Sequence, residues 1–181
     1  MFEDIRSKKL ILVAHCLLNQ NSISDGTALY PGSIAEIVNF LIKSSIGIVQ
    51  MPCPELLCLG LDRGNINGSK VPVVLENTRI RSMMNKKQAA VRLKHLVKDL
   101  VFQISEYQKY GFEVKGVIGV NRSPSCGVDT TSMKNLEVQG EGVFMKMLRD
   151  EIVRKKINLK FLGIRVSESQ QSLRSVRRLL G

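Results

Sequence analysis

Three apolar runs of strand length punctuate the chain, and each leads into a cysteine. Leu10-Ile11-Leu12-Val13-Ala14-His15 runs into Cys16, Gly47-Ile48-Val49-Gln50-Met51-Pro52 runs into Cys53, and residues 114–120 lead into Ser123-Pro124-Ser125-Cys126-Gly127. Between and after these runs the apolar positions recur at helical spacing. Ile34, Ile37, Val38, Leu41 and Ile42 predict a helix, with Ser33 as its cap and Glu36 three residues on as in a capping box. Residues 87–110 predict a long helix closed by Gly111, with His95 read as a half-buried structural residue inside it. Gly140-Glu141-Gly142 opens a further helix over 143–155, and a strand over 159–164 and a helix over 168–180 follow. Residues 16–26 are polar and rich in turn formers, so they read as a loop. Over 56–86 the periodicity fades apart from a short extended piece at 71–75, and a stretch of that length reads as a functional or mobile loop.

Strands alternating with helices predict an α/β fold built on a mostly parallel sheet with flanking helices. The 181 residues contain no repeat and no linker, so residues 1–181 are expected to form a single domain that needs no disulfide to fold. In an open parallel sheet, ligands collect beyond the carboxyl ends of the strands. Cysteines that follow three strands therefore have a route to one another, although they lie far apart in sequence.

Composition changes this picture little. Hydrophobic residues make up 44% and charged residues 24% of the chain, which is ordinary for a soluble protein. The first apolar run is short, is broken by His15 and is preceded by Glu3 and Asp4, which argues against a signal or lipidation segment. No other run is long enough to span a bilayer, so no membrane association and a cytoplasmic location are expected. In that compartment scattered cysteines point to metal binding or catalysis more than to disulfides. The formal charge of +11 invites an acidic partner such as RNA. Much of it, however, comes from Arg154, Lys155, Lys156, Lys160, Arg174, Arg177 and Arg178, which read as solvated surface, and aromatics for base stacking are only 5% of the chain. The sequence specifies no oligomeric state.

Thiolates are the usual ligands of iron–sulfur clusters and common ligands of zinc. The spacing of Cys16, Cys53 and Cys126 matches neither a ferredoxin run nor paired C-x-x-C knuckles, and by spacing alone each fits equally well as a small buried residue at a strand end. Their neighbours favour a site. Each thiol lies among proline, glycine or hydroxyl residues, and Cys53 is followed two positions later by Glu55, a candidate proton donor. Cys58 makes a C-x4-C pair with Cys53, which zinc accepts.

Cys16-Leu17-Leu18 with Asp25-Gly26, Cys53-Pro54-Glu55-Leu56-Leu57, Arg122-Ser123-Pro124-Ser125-Cys126-Gly127 and Gly140-Glu141-Gly142-Val143 occur in the order seen in the DUF523 family, which includes the 2-thiouracil desulfurases. The chain resembles that family from its first strand to the helix after Gly142. The resemblance implies a Rossmann-like α/β domain whose Cys16, Cys53 and Cys126 hold a [4Fe-4S] cluster and leave one iron without a protein ligand. It also implies catalytic roles for Glu55 and Ser123. The implied activity is hydrolytic removal of sulfur from a thiocarbonyl compound, a small thiolated pyrimidine or a similar nucleobase, with hydrosulfide released through the open iron. The chain departs from the family pattern at Asn19 and Ser22, where a glycine and a second cysteine are common, at Ile23-Ser24 before Asp25, and at Cys58-Leu59-Gly60. Cys58 is read as a loop thiol near the cluster, Asp25 as a turn residue beside Gly26 and Glu141 as a helix-start residue favoured by the dipole. Two other readings stand beside this one: a non-catalytic zinc or iron–sulfur protein that uses all four cysteines, with RNA on its basic helices as a candidate partner, and an enzyme that acts on a thiolated base within tRNA.

Overall fold

The computed structural model describes residues 2–181. Its centre is a four-stranded parallel sheet made of β1 (Lys9–Val13), β2 (Gly47–Gln50), β3 (Glu113–Val120) and β6 (Phe161–Ile164), in the order β2-β1-β3-β6. A separate antiparallel hairpin joins β4 (Thr130–Met133) to β5 (Leu136–Gln139). The helices are α1 (His15–Leu18), α2 (Ala35–Lys43), α3 (Pro54–Leu59), α4 (Val73–Met84), α5 (Lys87–Lys109), α6 (Val143–Arg154) and α7 (Ser169–Leu180). Helices α2 and α7 pack together, as do α5 and α6. The core between helices and sheet takes in Ile11, Leu12, Val117 and Ile118 from the strands, and Ile37, Leu93, Phe144 and Val176 from the helices.

The strand order gives the sheet a topological switch. The chain steps from β1 to β2 on one side and then returns past β1 to β3 on the other, so the connections part between β1 and β3. A crevice forms at such a point, at the carboxyl ends of the strands. This is the mixed α/β architecture expected from the alternation of strands and helices. The Rossmann-like label describes it loosely, because the sheet has only four strands.

Several local expectations are corrected. Cys16 lies on the one-turn helix α1, not in an open loop, because the strand ends at Val13 and buried Leu17 docks the next turn against the core. The capping box is not formed: α2 begins at Ala35 with Ile34 in the cap position and no side-chain cap bond. Ile34 is fully buried, and its N–H donates to the Leu17 carbonyl at 2.9 Å, so packing decides where the helix starts. Residues 56–86 are not a long loop, for they contain most of α3 and all of α4, and the expected extended piece runs into the first turn of α4. His95 is exposed. The basic residues from Arg154 to Lys160 and at the tail are exposed, as expected. Among the described residues no helix is long and apolar enough to cross a membrane.

Candidate active site

Each of the three cysteines is delivered by the end of one parallel strand. After β1, helix α1 presents Cys16; the Gln20 side chain fixes it there by donating to the Cys16 carbonyl at 2.7 Å. After β2, Cys53 takes the cap position of α3, with Pro54 in the first turn, where its missing N–H leaves no bond unmade, and Glu55 beside it, where the helix dipole favours a carboxylate. After β3, the turn from Ser123 to Gly127 carries Cys126. The Pro124 and Ser125 carbonyls of that turn accept the first free N–H groups of α6, from Val143, Phe144 and Met145, at 3.0–3.1 Å. A Cβ at Gly142 would lie 2.7 Å from the Cys126 nitrogen, so the close approach of α6 to this turn requires glycine there.

These elements enclose a cavity of about 360 Å3 at the switch point, lined by Cys16, Cys53, Cys126, Glu55 and Ser123 among others. Burial pushes the Cys16 thiol up to about 12, with the neighbouring Cys53 and Glu55 charges adding to it. Burial likewise raises Cys53 and carries Cys126 well above the ordinary thiol value, the latter with help from Cys53 and Cys16. The three sulfurs therefore share one electrostatic neighbourhood.

Cys58 does not line the cavity. Its sulfur is directed at the Ala89 carbonyl of α5, 3.9 Å away; burial raises its thiol above the ordinary value and the Arg92 charge opposes that shift. The residue expected near a cluster thus sits against a helix.

Glu55 is buried and fully engaged. Oε1 accepts from Ser125 Oγ at 2.5 Å and from Ser123 Oγ at 3.5 Å; Oε2 accepts from Ser24 Oγ at 3.3 Å and from Arg63 Nε at 3.2 Å. Ser123 Oγ accepts the N–H groups of Ser125 at 3.3 Å and Cys126 at 3.0 Å, which fixes the oxygen and leaves its proton for Glu55 or Ser125. Two residues here are not singled out by the sequence reading, although Ser125 lies inside the motif of residues 123–127. Ser125 sits closer to the carboxylate than Ser123 does, and Arg63 supplies its counter-charge from a loop whose composition marks nothing. Asp25 and Glu141 lie outside the cavity lining. Thr27 N–H donates to the Ser24 carbonyl at 3.1 Å and closes the turn around Asp25 and Gly26, while Glu141 pairs with Arg149 at 2.5 Å.

Helix α4 braces the cavity. Its Arg81 Nη1 donates to the Pro124 carbonyl at 3.3 Å, the Glu141 carbonyl at 3.1 Å and Thr131 Oγ1 at 3.0 Å, tying the Cys126 turn to the start of α6. Asn77 Nδ2 donates to Ser132 Oγ at 3.2 Å, and Ser132 Oγ in turn donates to the Arg122 carbonyl at 2.7 Å.

Among the described residues no group of three His, Cys, Asp or Glu side chains is arranged to hold a single metal ion. Three soft thiols line the one cavity, Cys126 buried and Cys16 and Cys53 half-buried, and thiolates are the usual ligands of iron–sulfur clusters.

Fold and site together define a parallel α/β protein with three thiols and a buried, hydrogen-bonded carboxylate at its switch point. The 2-thiouracil desulfurase family model matches residues 11–158, and the chain belongs to that family. It is 28% identical to an uncharacterized protein of Methanocaldococcus jannaschii, over 84% of this chain and 86% of that protein. Among solved structures it is similar to the [4Fe-4S]-dependent thiouracil desulfidase TudS, with 17% identity and a TM-score of 0.44, over 94% of this chain and 99% of that one.

Proposed function

We propose that residues 1–181 act as one desulfidase domain that removes sulfur hydrolytically from a small thiocarbonyl compound of the thiolated-pyrimidine type. In this reading Cys16, Cys53 and Cys126 hold a [4Fe-4S] cluster, and Glu55 and Ser123 serve the reaction. The observation that carries it is the meeting of three strand-end thiols and one buried carboxylate in a single cavity, in a chain of the 2-thiouracil desulfurase family. The thiols of the unloaded chain are held protonated by burial, and loading would displace those protons.

When bound, a cluster with one iron free of protein ligands supplies a soft Lewis-acid position for the substrate's sulfur. The chain's own residues do the rest. The overall change takes one water and exchanges C=S for C=O, with sulfur leaving as hydrogen sulfide. Water gives up two protons in this change. Glu55 receives the first at a carboxylate oxygen and returns it to the departing sulfur, and the second, released as the C=O forms, completes the hydrogen sulfide. Ser123 Oγ, pinned by two backbone N–H groups, turns its proton from Glu55 or Ser125 toward water or the pyrimidine edge when substrate binds. Ser125 and Arg63 hold Glu55 in place.

The test is anaerobic purification followed by assay against a panel of thiolated nucleobases, nucleosides and tRNA. A brown protein with about four irons per chain that releases hydrogen sulfide from the small compounds is expected. Activity on thiolated tRNA alone, with binding that falls steeply with salt, would instead make RNA the substrate. A colourless protein that holds zinc would sink the reading. Replacing Cys58 by alanine is expected to leave iron content and turnover unchanged, since its sulfur faces α5 and not the cavity. Loss of one iron from the Cys58→Ala protein would mean that it ligates the cluster.

A further inference from the structure

Arg63 is among the most deeply buried residues of the protein, at 2% exposure, although it belongs to a connecting loop. A guanidinium has five N–H donors, and here there are five acceptors. Nε donates to Glu55 Oε2 at 3.2 Å; Nη1 donates to the Gly60 carbonyl at 2.9 Å and the Leu61 carbonyl at 3.0 Å; Nη2 donates to the Ser22 carbonyl at 2.5 Å and to Cys53 Sγ at 3.7 Å. The Arg63 backbone sits at φ +55°, a conformation side chains rarely adopt. It is held there by Arg79, whose Nη2 donates to the Arg63 carbonyl at 2.7 Å and to Glu76 Oε1 at 2.6 Å.

We infer that Arg63 is a positioning residue that ties the carboxylate of Glu55 to the sulfur of Cys53, so that one guanidinium holds both the proton-handling group and a cluster ligand. This inference rests on the cluster reading above and extends it. The three carbonyl bonds alone would suffice to knit a loop; the bonds to Glu55 and Cys53 are what that simpler role does not need. An N–H donor to a ligand sulfur withdraws electron density from it, which raises the potential of a cluster and sharpens the acidity of its irons. Lysine cannot replace the fork, because its three donors radiate from one atom and do not span Glu55, Cys53 and Ser22 together.

The test uses the loaded protein. Wild-type enzyme labelled with 15N-arginine, purified anaerobically and reduced, is expected to show a 15N coupling to the cluster in pulsed electron paramagnetic resonance, and Arg63→Lys is expected to lose it. Arg63→Lys should keep its iron, show a more negative reduction potential and lose more than tenfold in kcat with KM within about twofold. A loaded Arg63→Lys protein with wild-type potential and kcat overturns the inference, as does a loaded wild type without the coupling. If Arg63→Lys fails to fold or to retain iron, the wild-type coupling alone decides. Wild-type protein lacking iron and sulfide overturns the cluster reading and this inference together, so the two failures are told apart before any variant is made.

Discussion

Cys126→Ala is expected to give a folded, colourless protein with no desulfidase activity. The substitution removes one sulfur from a buried site, a loss of about 1 kcal/mol of burial, which does not unfold a protein of this size. Its neighbours stay anchored without the thiol. Ser123 Oγ still accepts the residue 126 N–H, and the Pro124 and Ser125 carbonyls still cap α6. The effect on a cluster is far larger, because two remaining thiols cannot enclose a four-iron cube. Iron and sulfide analysis should fall from about four per chain to background, with circular dichroism unchanged. A brown, active Cys126→Ala protein would show that the three strand-end thiols do not act together.

What made these thiols readable in advance is the sheet. Strand-length apolar runs ending at Cys16, Cys53 and Cys126 need only parallel pairing to share an edge, and register follows from the hydrophobic faces. Helix α4 shows why the rest stayed hidden. Its buried positions Glu76, Asn77, Ile80 and Met84 keep helical spacing, but two of the four are polar. The helix faces the loops of the site and supplies their hydrogen bonds, so hydrophobic periodicity is absent where burial is present. The β4–β5 hairpin was hidden for a different reason. Its turn is Lys134-Asn135, both at positive φ, where Asn-Gly or Asp-Gly is the familiar signal. Asn135 N–H donates to Thr78 Oγ1 of α4 at 2.9 Å, and this tertiary bond offsets the weaker local preference. Ser125 meets Glu55 across 70 residues of sequence, and Arg63 meets Glu55, Cys53 and Ser22 across 8, 10 and 41, through a loop turned back on α3; no helical or strand period encodes either set of contacts.

Glu55→Gln is expected to keep the colour and iron of the wild type while turnover falls by about 100- to 10,000-fold, the usual contribution of a general acid–base group. The amide matches the carboxylate in shape, and its surroundings can adapt. Its oxygen can face Arg63 Nε and Ser24 Oγ, while its NH2 donates to Ser125, whose hydroxyl rotates to accept; Ser123 Oγ, already accepting two backbone N–H groups, turns its proton to Ser125. The Arg63 charge loses its partner, and breaking a buried ion pair destabilises by about 3–5 kcal/mol, so a lowered Tm is part of the expected result. Stability and turnover separate cleanly: assay well below the lowered Tm isolates the missing proton carrier, which an amide cannot replace at any temperature. Glu55→Asp supplies the internal control, since it restores the carboxylate but shortens its reach, and should recover part of the rate along with the charge pair. If Glu55→Gln turns over at the wild-type rate with full iron, Glu55 moves no proton in the reaction, and its burial among Arg63, Ser125 and Ser24 serves only to hold the Cys53 and Cys126 turns together.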